Sequence, residues 1–137
     1  MIVATGNDII EIERLERVLR RHGERFIQRV FTDREQEYCR QQPHPPQHYA
    51  ARFAGKEAVL KVLGTGWDRG IHWRDVEILR TEKGDPFVEM HGNGAIIAAE
   101  QGIDIVHISL SHSRTLALAT AIGERFDDLQ REASGRL

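Results

Sequence analysis

The first candidates for chemistry in this sequence are Glu57 and Lys61, an acid and a base four residues apart in a stretch with a helical pattern. Residues four apart lie one above the other on the same side of a helix. Such a pair can help to hold a metal ion and neutralise a phosphate beside it. The same spacing is also typical of a surface ion pair, which contributes only about 0.3 to 0.5 kcal/mol. A metal site therefore requires a second carboxylate.

Asp8 is the candidate for that second carboxylate. The residues from Ile2 to Ile12 alternate as a strand does, which puts Asp8 on the same side as the isoleucines at positions 10 and 12. A carboxylate on an apolar face is costly unless it is paired, hydrogen-bonded or bound to a metal. The alternative is a helix-capping aspartate, because a helical run begins near Glu13. We therefore treat Asp8 and Glu57 as candidate metal ligands.

The stretch Tyr49–Gly66 must position these side chains, and its pattern predicts a core helix. Arg52 lies on the border of the apolar stripe opposite the acid, and Lys56 projects from the stripe itself. The loop Gly64-Thr65-Gly66 then ends the helix and leaves backbone amides close to the second lysine, as a phosphate site would require. The predicted apolar stripe consists of Tyr49, Phe53, Leu60 and Leu63.

A basic segment precedes this helix. Six arginines fall between positions 14 and 29 against only Glu16 and Glu24, a local balance of +4 in a chain whose formal net charge is −2. Guanidinium groups suit bidentate contacts with an acidic partner, whereas the alternative is a solvated helix face with internal ion pairs. The overall charge argues against general nucleic-acid binding. The arginines are Arg14, Arg17, Arg20, Arg21, Arg25 and Arg29.

The remaining pattern predicts an α+β fold, with helices mostly early and an antiparallel sheet built mostly from late strands. Helices are predicted on both sides of Gly23 and after a capping box at Thr32, and the proline-rich segment 41–48 is predicted to be a loop. We expect one domain over residues 1–123 and a polar C-terminal tail over 124–137. The later half is predicted to contain a hairpin of 76–80 and 87–91, a helix over 92–101, and strands over 103–110 and 116–122 joined by a turn at 111–114.

Length and composition limit the class of protein. A chain of 137 residues, of which 40 % are hydrophobic, forms one globular domain with a modest core. Cys39 is the single cysteine, so no intrachain disulfide and no cysteine zinc site can form. The chain opens without the basic lead of a signal peptide, and no stretch approaches the roughly 18 apolar residues of a membrane span. We expect a soluble, cytoplasmic protein that binds no membrane.

Five motifs follow one another along nearly the whole chain. They read GNDIIEIERL (6–15), FTDREQEYC (31–39), ARFAGKEAVLKVLGTG (51–66), KGDP (83–86) and ISLSHS (108–113). In this order they resemble the holo-acyl-carrier-protein synthases, the small bacterial branch of the 4′-phosphopantetheinyl transferases. The sequence departs from that family at Asn7, where threonine or a small apolar residue is usual, in the prolines at 43–46 and in a longer tail. None of these departures falls on a charged motif position.

The resemblance implies a Mg²⁺-dependent transfer of 4′-phosphopantetheine from coenzyme A to a serine of apo acyl carrier protein, a step that serves fatty acid biosynthesis. Adenosine 3′,5′-bisphosphate is the other product. In this reaction Asp8 and Glu57 would hold the Mg²⁺, and Lys61 would neutralise charge on the bridging and leaving oxygens. Glu57 would also take the serine proton, either directly or through a metal-bound water.

The resemblance further implies how the substrates are held. The basic segment would dock the acidic carrier protein. The family is homotrimeric with active sites between protomers, so that His112 would serve a neighbouring protomer's site. The expected coenzyme A contacts are Arg52, Lys61, Gly64, Thr65, Gly66, Pro86, Ser111 and His112. The expected docking residues are Arg14, Arg17, Arg20, Arg21 and Arg25.

Two other functions remain open from the residues alone. A Mg²⁺-dependent nucleotide hydrolase could use the same Asp8, Glu57 and Lys61, and it would turn over coenzyme A without any protein acceptor. A non-catalytic adaptor could use the basic segment to bind acidic protein or nucleic acid, and its binding would be indifferent to Mg²⁺.

Overall fold

The elements follow the predicted division into early helices and late strands. The computed structural model describes residues 1–135 and confirms the α+β class. A single 3₁₀ turn, Trp73–Asp75, is found before the hairpin in this part of the chain. The strands and helices are β1 (Ile2–Glu11), α1 (Ile12–His22), α2 (Glu24–Val30), α3 (Asp33–Arg40), α4 (Pro45–Leu63), β2 (Val76–Arg80), β3 (Pro86–Met90), α5 (Gly92–Glu100), β4 (Ile105–His112), β5 (Leu116–Glu124) and α6 (Asp128–Ala133).

The main sheet is antiparallel with strand order β1-β5-β4, and α4 packs across its inner face. The buried positions on the inner face of β5 carry only small residues, which are alanines at 117, 119 and 121 and Gly123. Gly6 brings β1 still closer, because a Cβ atom there would lie 2.3 Å from the carbonyl oxygen of Ala58 on α4. Small residues on both strands therefore let the helix lie close to the sheet. Asp8 follows two residues after this contact and consequently lies beside α4.

Helix α4 is buried on almost all sides, so the prediction of a single apolar stripe is wrong. Two hydrophobic clusters cover it, one formed with the sheet and α5, the other with α1, α2 and α3. Beyond the first four residues of the helix, only Phe53, Glu57 and Lys61 are partly or fully exposed, and they lie along one side of it. A sequence pattern shows which residues are apolar, but it does not show how many neighbouring elements will pack around them.

The helix also begins earlier than expected. Pro45 and Pro46 occupy its first turn, so the prediction of a loop over 41–48 is wrong for its last four residues. Proline is favoured in a first helical turn because the amide hydrogen that it lacks would have no partner inside the helix. The predicted break at Gly23, which has a φ of 52°, is confirmed. The predicted capping box at Thr32 is also confirmed.

The predicted hairpin of β2 and β3 is confirmed, whereas the predicted turn at 111–114 is wrong in its first half. Strand β4 continues through Ser111 and His112, and the reversal begins at Ser113, whose amide bonds to the carbonyl of Leu116 at 2.8 Å. Strand β5 runs on to Glu124. The following segment contains α6, where Arg131 contacts Asp104 at 2.9 Å.

The outer face of the main sheet is uncovered in the single chain. Ile9 and Leu118, which face each other in the register of β1 and β5, are 59 % and 42 % exposed. Leu116 and Val3 are also exposed on this sheet. Within residues 1–135, no helix is both long enough and apolar enough to cross a membrane.

Candidate active site

Asp8 and Glu57 line the same cavity, as the sequence predicts for a pair of metal ligands. Asp8 comes from β1 and Glu57 from α4, and the cavity between them has a volume of about 360 Å³. Arg14 of α1 lines the same cavity, so one arginine of the basic segment lies near the two carboxylates. The rest of the lining is apolar and consists of Ile9, Ile10, Leu15, Val18, Phe26 and Phe53.

Lys61 is paired with Asp8 and not with the glutamate on its own helix. Its Nζ lies 3.3 Å from Asp8 Oδ1 and donates a hydrogen bond of 2.7 Å to the carbonyl oxygen of Asn7. Among the residues that the structure describes, no ion pair joins Lys61 to Glu57. The lysine therefore connects α4 to β1 and leaves its charge at Asp8.

The pKa of Glu57 is raised above the usual value for a glutamate. Partial burial is the main cause and the nearby negative charge of Asp8 the second, while the Trp67 indole and the Lys61 ammonium act weakly in the opposite direction. Two carboxylates at one cavity that repel each other in this way favour a bound cation. Hard oxygen donors of this kind fit Mg²⁺, which is commonly held by one or two carboxylates.

The glycine loop closes α4 beside Lys61. Gly64 adopts a left-handed conformation with a φ of 72°, and its amide bonds to the carbonyl of Leu60 at 2.9 Å. Gly66 also has a positive φ, of 59°. The open backbone of this loop, with Thr65 between the glycines, lies one turn beyond Lys61. Phosphate oxygens could approach its amides without meeting a side chain.

A second group of predicted residues lies on another side of α4. Arg52 is only 1 % exposed, and its guanidinium carbon lies 4.1 Å above the Tyr38 ring. His112 contacts His48 of the same chain, with ring centroids 5.6 Å apart. Pro86 belongs to this side too, because its partner across the hairpin is Arg80, which lines a cavity together with Arg52 and Tyr38.

Ser111 does not lie with His112, although the two are adjacent in sequence. Successive residues of a strand point to opposite faces of the sheet. Ser111 lies opposite Leu118 in the register, and both are exposed on the outer face. The expected coenzyme A contacts are therefore divided among three places: the glycine loop with Lys61, the Arg52 side of α4, and the outer face of the sheet.

Residues 4–101 match the sequence profile of the 4′-phosphopantetheinyl transferase superfamily. The chain belongs to the 4′-phosphopantetheinyl transferase superfamily. A holo-[acyl-carrier-protein] synthase of Protochlamydia amoebophila is 44 % identical over 122 residues, which are 89 % of this chain and 98 % of that protein. One of Geobacter metallireducens is 42 % identical over 125 residues, or 91 % and 99 %.

Solved structures of transferases from this superfamily share the fold. The holo-[acyl-carrier-protein] synthase of Neisseria meningitidis has a TM-score of 0.84 and 31 % identity, covering 91 % of this chain and all of that one. The Bacillus anthracis holo-(acyl-carrier-protein) synthase, solved in complex with CoA (3′,5′-ADP), has a TM-score of 0.76 and 31 % identity over 92 % of this chain and 99 % of that one. The resemblance drawn from the five motifs is thereby confirmed.

Lys56 in this transferase is a buried structural residue, in keeping with its position on the apolar side of the helix. Its Nζ lies 2.8 Å from Glu35 and donates to the carbonyl oxygens of Trp73 and Val76. Burial lowers the pKa of Lys56, while Glu35 acts in the opposite direction. Glu35 also accepts from the amides of Thr32 and Ile78, at 2.9 Å each. The capping box in the sequence revealed only the first of these bonds.

A second acidic group occurs on the β2–β3 hairpin of the transferase, away from Asp8. Ligand atoms of Glu77, Glu89 and His91 lie within 4.8 Å of one another. Arg34 already occupies this group, because its Nη2 lies 2.6 Å from each of the two glutamates. The group therefore already has one cationic partner, which both glutamates share.

The arginines of the basic segment are all exposed. Arg17 and Arg20 have weak partners one turn earlier, Glu13 and Glu16, at 3.8 and 3.9 Å. Within the described part of the chain, no ion pair is made by Arg14, Arg21 or Arg25. A surface ion pair holds a side chain in one arrangement. The arginines without such a pair are therefore the most available to a partner.

Proposed function

We propose that this chain transfers the 4′-phosphopantetheine group from coenzyme A to a serine of apo acyl carrier protein, in the cytoplasm and in support of fatty acid biosynthesis. The observation that carries the proposal is that Asp8 and Glu57 line one cavity with Lys61 and a glycine loop beside it. Two relatives that cover nearly the whole chain are named holo-[acyl-carrier-protein] synthase, and a similar structure was solved with CoA (3′,5′-ADP). A single buried cysteine, Cys39, suits a reducing compartment.

The serine oxygen attacks the β-phosphorus of coenzyme A, and the bond from that phosphorus to the bridging oxygen breaks. Adenosine 3′,5′-bisphosphate leaves with the bonding electrons. Glu57 would accept the serine proton, either directly or through a metal-bound water. Lys61 and the amides of the glycine loop neutralise charge on the leaving oxygens. Asp8 and Glu57 would hold Mg²⁺, which would supply further neutralisation of the pyrophosphate.

The carrier protein docks on α1. Arg14 lines the cavity that contains both carboxylates, so a partner bound to this arginine would present its serine at the reacting groups. Arg21 lies two turns further along the same side of the helix, because seven residues correspond to about 700° of rotation. The apolar lining between α1 and Phe53 offers a surface for the partner's side chains.

The nucleotide end of coenzyme A binds on the Arg52 side of α4, in a homotrimer whose sites lie between protomers. Arg52 and Glu57 are five positions apart, so their side chains leave the helix about 140° apart. Their two cavities share no lining residue. One protomer's Arg52 side would therefore complete a neighbour's Asp8 side. The exposed face around Ile9 and Leu118 offers the contact surface for such an assembly.

Mass spectrometry tests the activity directly. The chain is mixed with apo acyl carrier protein, coenzyme A and Mg²⁺, and we expect a phosphopantetheine adduct on one serine of the carrier. Cleavage of coenzyme A without the acceptor would instead identify a hydrolase. Carrier binding that is indifferent to Mg²⁺, with no adduct, would identify an adaptor.

Mixing two inactive variants tests the site between protomers. Asp8→Asn impairs one half-site and Arg52→Gln the other, so we expect little activity from either alone. The two variants are denatured, mixed and refolded together. If the sites lie between protomers, activity would return, because some sites would then combine the intact Asp8 side of one variant with the intact Arg52 side of the other. Sites within one protomer would stay inactive. Sedimentation analysis of the parent is expected to give a trimer.

A further inference from the structure

The Arg52 side of α4 contains a group of basic side chains around one aromatic ring. The guanidinium carbons of Arg52 and Arg80 lie 4.1 and 5.4 Å from the centre of the Tyr38 ring. His48 contacts the same ring, with centroids 5.7 Å apart, and His112 contacts His48. Three strands and helices thus direct cationic or protonatable groups to one place: α4, β2 and β4.

Several nitrogens of this basic group are buried without a hydrogen-bond partner. In the described residues these are Nε and Nη1 of Arg52 and Nε of Arg80. Arg80 Nη1 is engaged, because it donates to the carbonyl oxygen of Gly84 at 2.5 Å. Buried donors without partners are costly, especially on a charged group. The free donors of the two arginines are therefore those that a bound anion would satisfy.

The nearby carboxylates are already engaged by other cations. Arg34 lines the same cavity of about 260 Å³, but it is paired with Glu77 and Glu89. Glu35 is paired with Lys56. Positive charge consequently remains in excess around Tyr38, and a compact dianion would neutralise two guanidinium groups at once.

We propose that Arg80 is a specificity-determining residue, which grips the phosphate monoester of coenzyme A together with Arg52. This inference rests on the proposed function, since it assumes that coenzyme A is the donor. The pyrophosphate is a diester at the carboxylate side, whereas the monoester is the only phosphate of coenzyme A that can carry two charges. Arg80 thereby distinguishes coenzyme A from dephospho-coenzyme A, which lacks that group.

His48 links this recognition to pH. Burial, and then the charges of Arg52, His112, Arg80 and His44, lower the pKa of His48 to about 4. Its other close neighbour on α3 is the Tyr38 ring. His48 is therefore neutral in the free protein near pH 7, and a dianion placed among these cations would favour its protonation. Binding of the monoester should take up a proton and strengthen as the pH falls.

Calorimetry with two ligands tests the role of Arg80. Coenzyme A and dephospho-coenzyme A are titrated into the parent and into Arg80→Gln, with Mg²⁺ and without carrier protein. We expect the variant to bind coenzyme A about tenfold more weakly, with little change for dephospho-coenzyme A, since each lost bond to a charged group is worth roughly one decade or more. Arg74→Gln is the matched control, because Arg74 loses an equal charge at its ion pair with Asp33 outside this cavity.

Each outcome bears on one hypothesis. If Arg80→Gln keeps the parent's preference for coenzyme A, or binds both ligands equally more weakly, Arg80 does not recognise the monoester. The transferase proposal is unaffected by that result. If the parent binds neither ligand, the transferase proposal itself fails. Arg80→Lys retains the charge without the planar fork, and we expect it to keep only part of the preference even if the glutamine variant folds poorly.

The pH dependence gives a second readout. From about pH 8 to about pH 7, where the monoester is still mostly a dianion, the parent's preference for coenzyme A should increase. His48→Phe keeps the ring contacts with Tyr38 and His112, and we expect a smaller increase, because this variant lacks the imidazole that takes up the proton. An unchanged pH profile in His48→Phe would overturn the proton-linked part of the inference.

Discussion

Lys61 Nζ lies 3.3 Å from the Oδ1 atom of Asp8, although 53 residues separate the two in sequence. The contact joins α4, which also carries Glu57, to β1, which carries Asp8. Gly6 makes it possible, because any larger side chain would push β1 away from α4. The carboxylate pair thus has a cation beside it that is held independently of any metal.

The carboxylate pair predicts where the metal binds. We expect Asp8→Asn and Glu57→Gln each to reduce transfer at least about a hundredfold, because each removes a proposed anionic ligand of Mg²⁺. Calorimetric titration with Mg²⁺ should show lost binding, and circular dichroism an unchanged fold. Glu89→Gln is the matched control, since it removes a carboxylate from the hairpin group that contains Arg34. If Asp8→Asn and Glu57→Gln still bind Mg²⁺ and Glu89→Gln does not, the metal binds at the hairpin.

Lys61→Met tests whether the ammonium acts in the transition state. If its charge is used mainly on the leaving oxygens, kcat should fall by about tenfold or more while KM for coenzyme A changes little. Steady-state kinetics with both substrates separate the two parameters. A rise in KM alone would assign Lys61 to binding of the ground-state phosphates.

Arg14 and Arg17 allow a matched test of docking on α1. Arg14 lines the cavity of Asp8 and Glu57 and is unpaired in the described residues, whereas Arg17 faces Glu13 at 3.8 Å. We expect Arg14→Glu to raise KM for the carrier protein several-fold more than Arg17→Glu, and added salt to mimic the effect in the parent. KM for coenzyme A should barely change. Equal, small effects of the two substitutions would indicate that docking occurs elsewhere.

Glu57→Gln should stabilise the metal-free protein at neutral pH. Since the pKa of Glu57 is raised in the folded state, its contribution to stability is complete at low pH and is lost as the pH rises through the folded pKa. The glutamine variant lacks this loss, so in EDTA its Tm should exceed the parent's by a few degrees near pH 7 and match it below about pH 4. Glu13→Gln, an exposed change, should show no such difference. A difference in Tm that does not change with pH would instead indicate that the substitution acts through packing.

Lys56 should matter for stability more than for chemistry. Lys56→Met leaves the buried Glu35 without its cation, which typically costs about 3 to 5 kcal/mol. Urea unfolding measures the loss, and Lys83→Met on the exposed turn is the control. The double change Lys56→Met with Glu35→Gln should be less destabilising than the sum of its parts, because no charge remains unpaired. Additive effects would contradict a direct pairing.

Several features could be predicted from the sequence because they depend on local geometry. The helix over residues 49–63 follows from its apolar pattern, the start of α3 from the capping box at Thr32, and the break at Gly23 from the conformational freedom of glycine. The alternation in β1 likewise puts Asp8 on the inner face. Local periodicity and turn chemistry act over a few residues and are therefore visible in the sequence.

Only the tertiary structure decided which charged groups meet. Lys61 had a neighbouring acid on its own helix, yet it pairs with Asp8 because Gly6 brings β1 against α4. Ser111 and His112 form one motif in the sequence, but the strand that contains them directs them to opposite faces. Arg52 and Arg80 share the Tyr38 ring only because α3, α4 and β2 pack together. Such contacts join residues that are distant in sequence, and their geometry depends on the packing of whole elements, which no local pattern records.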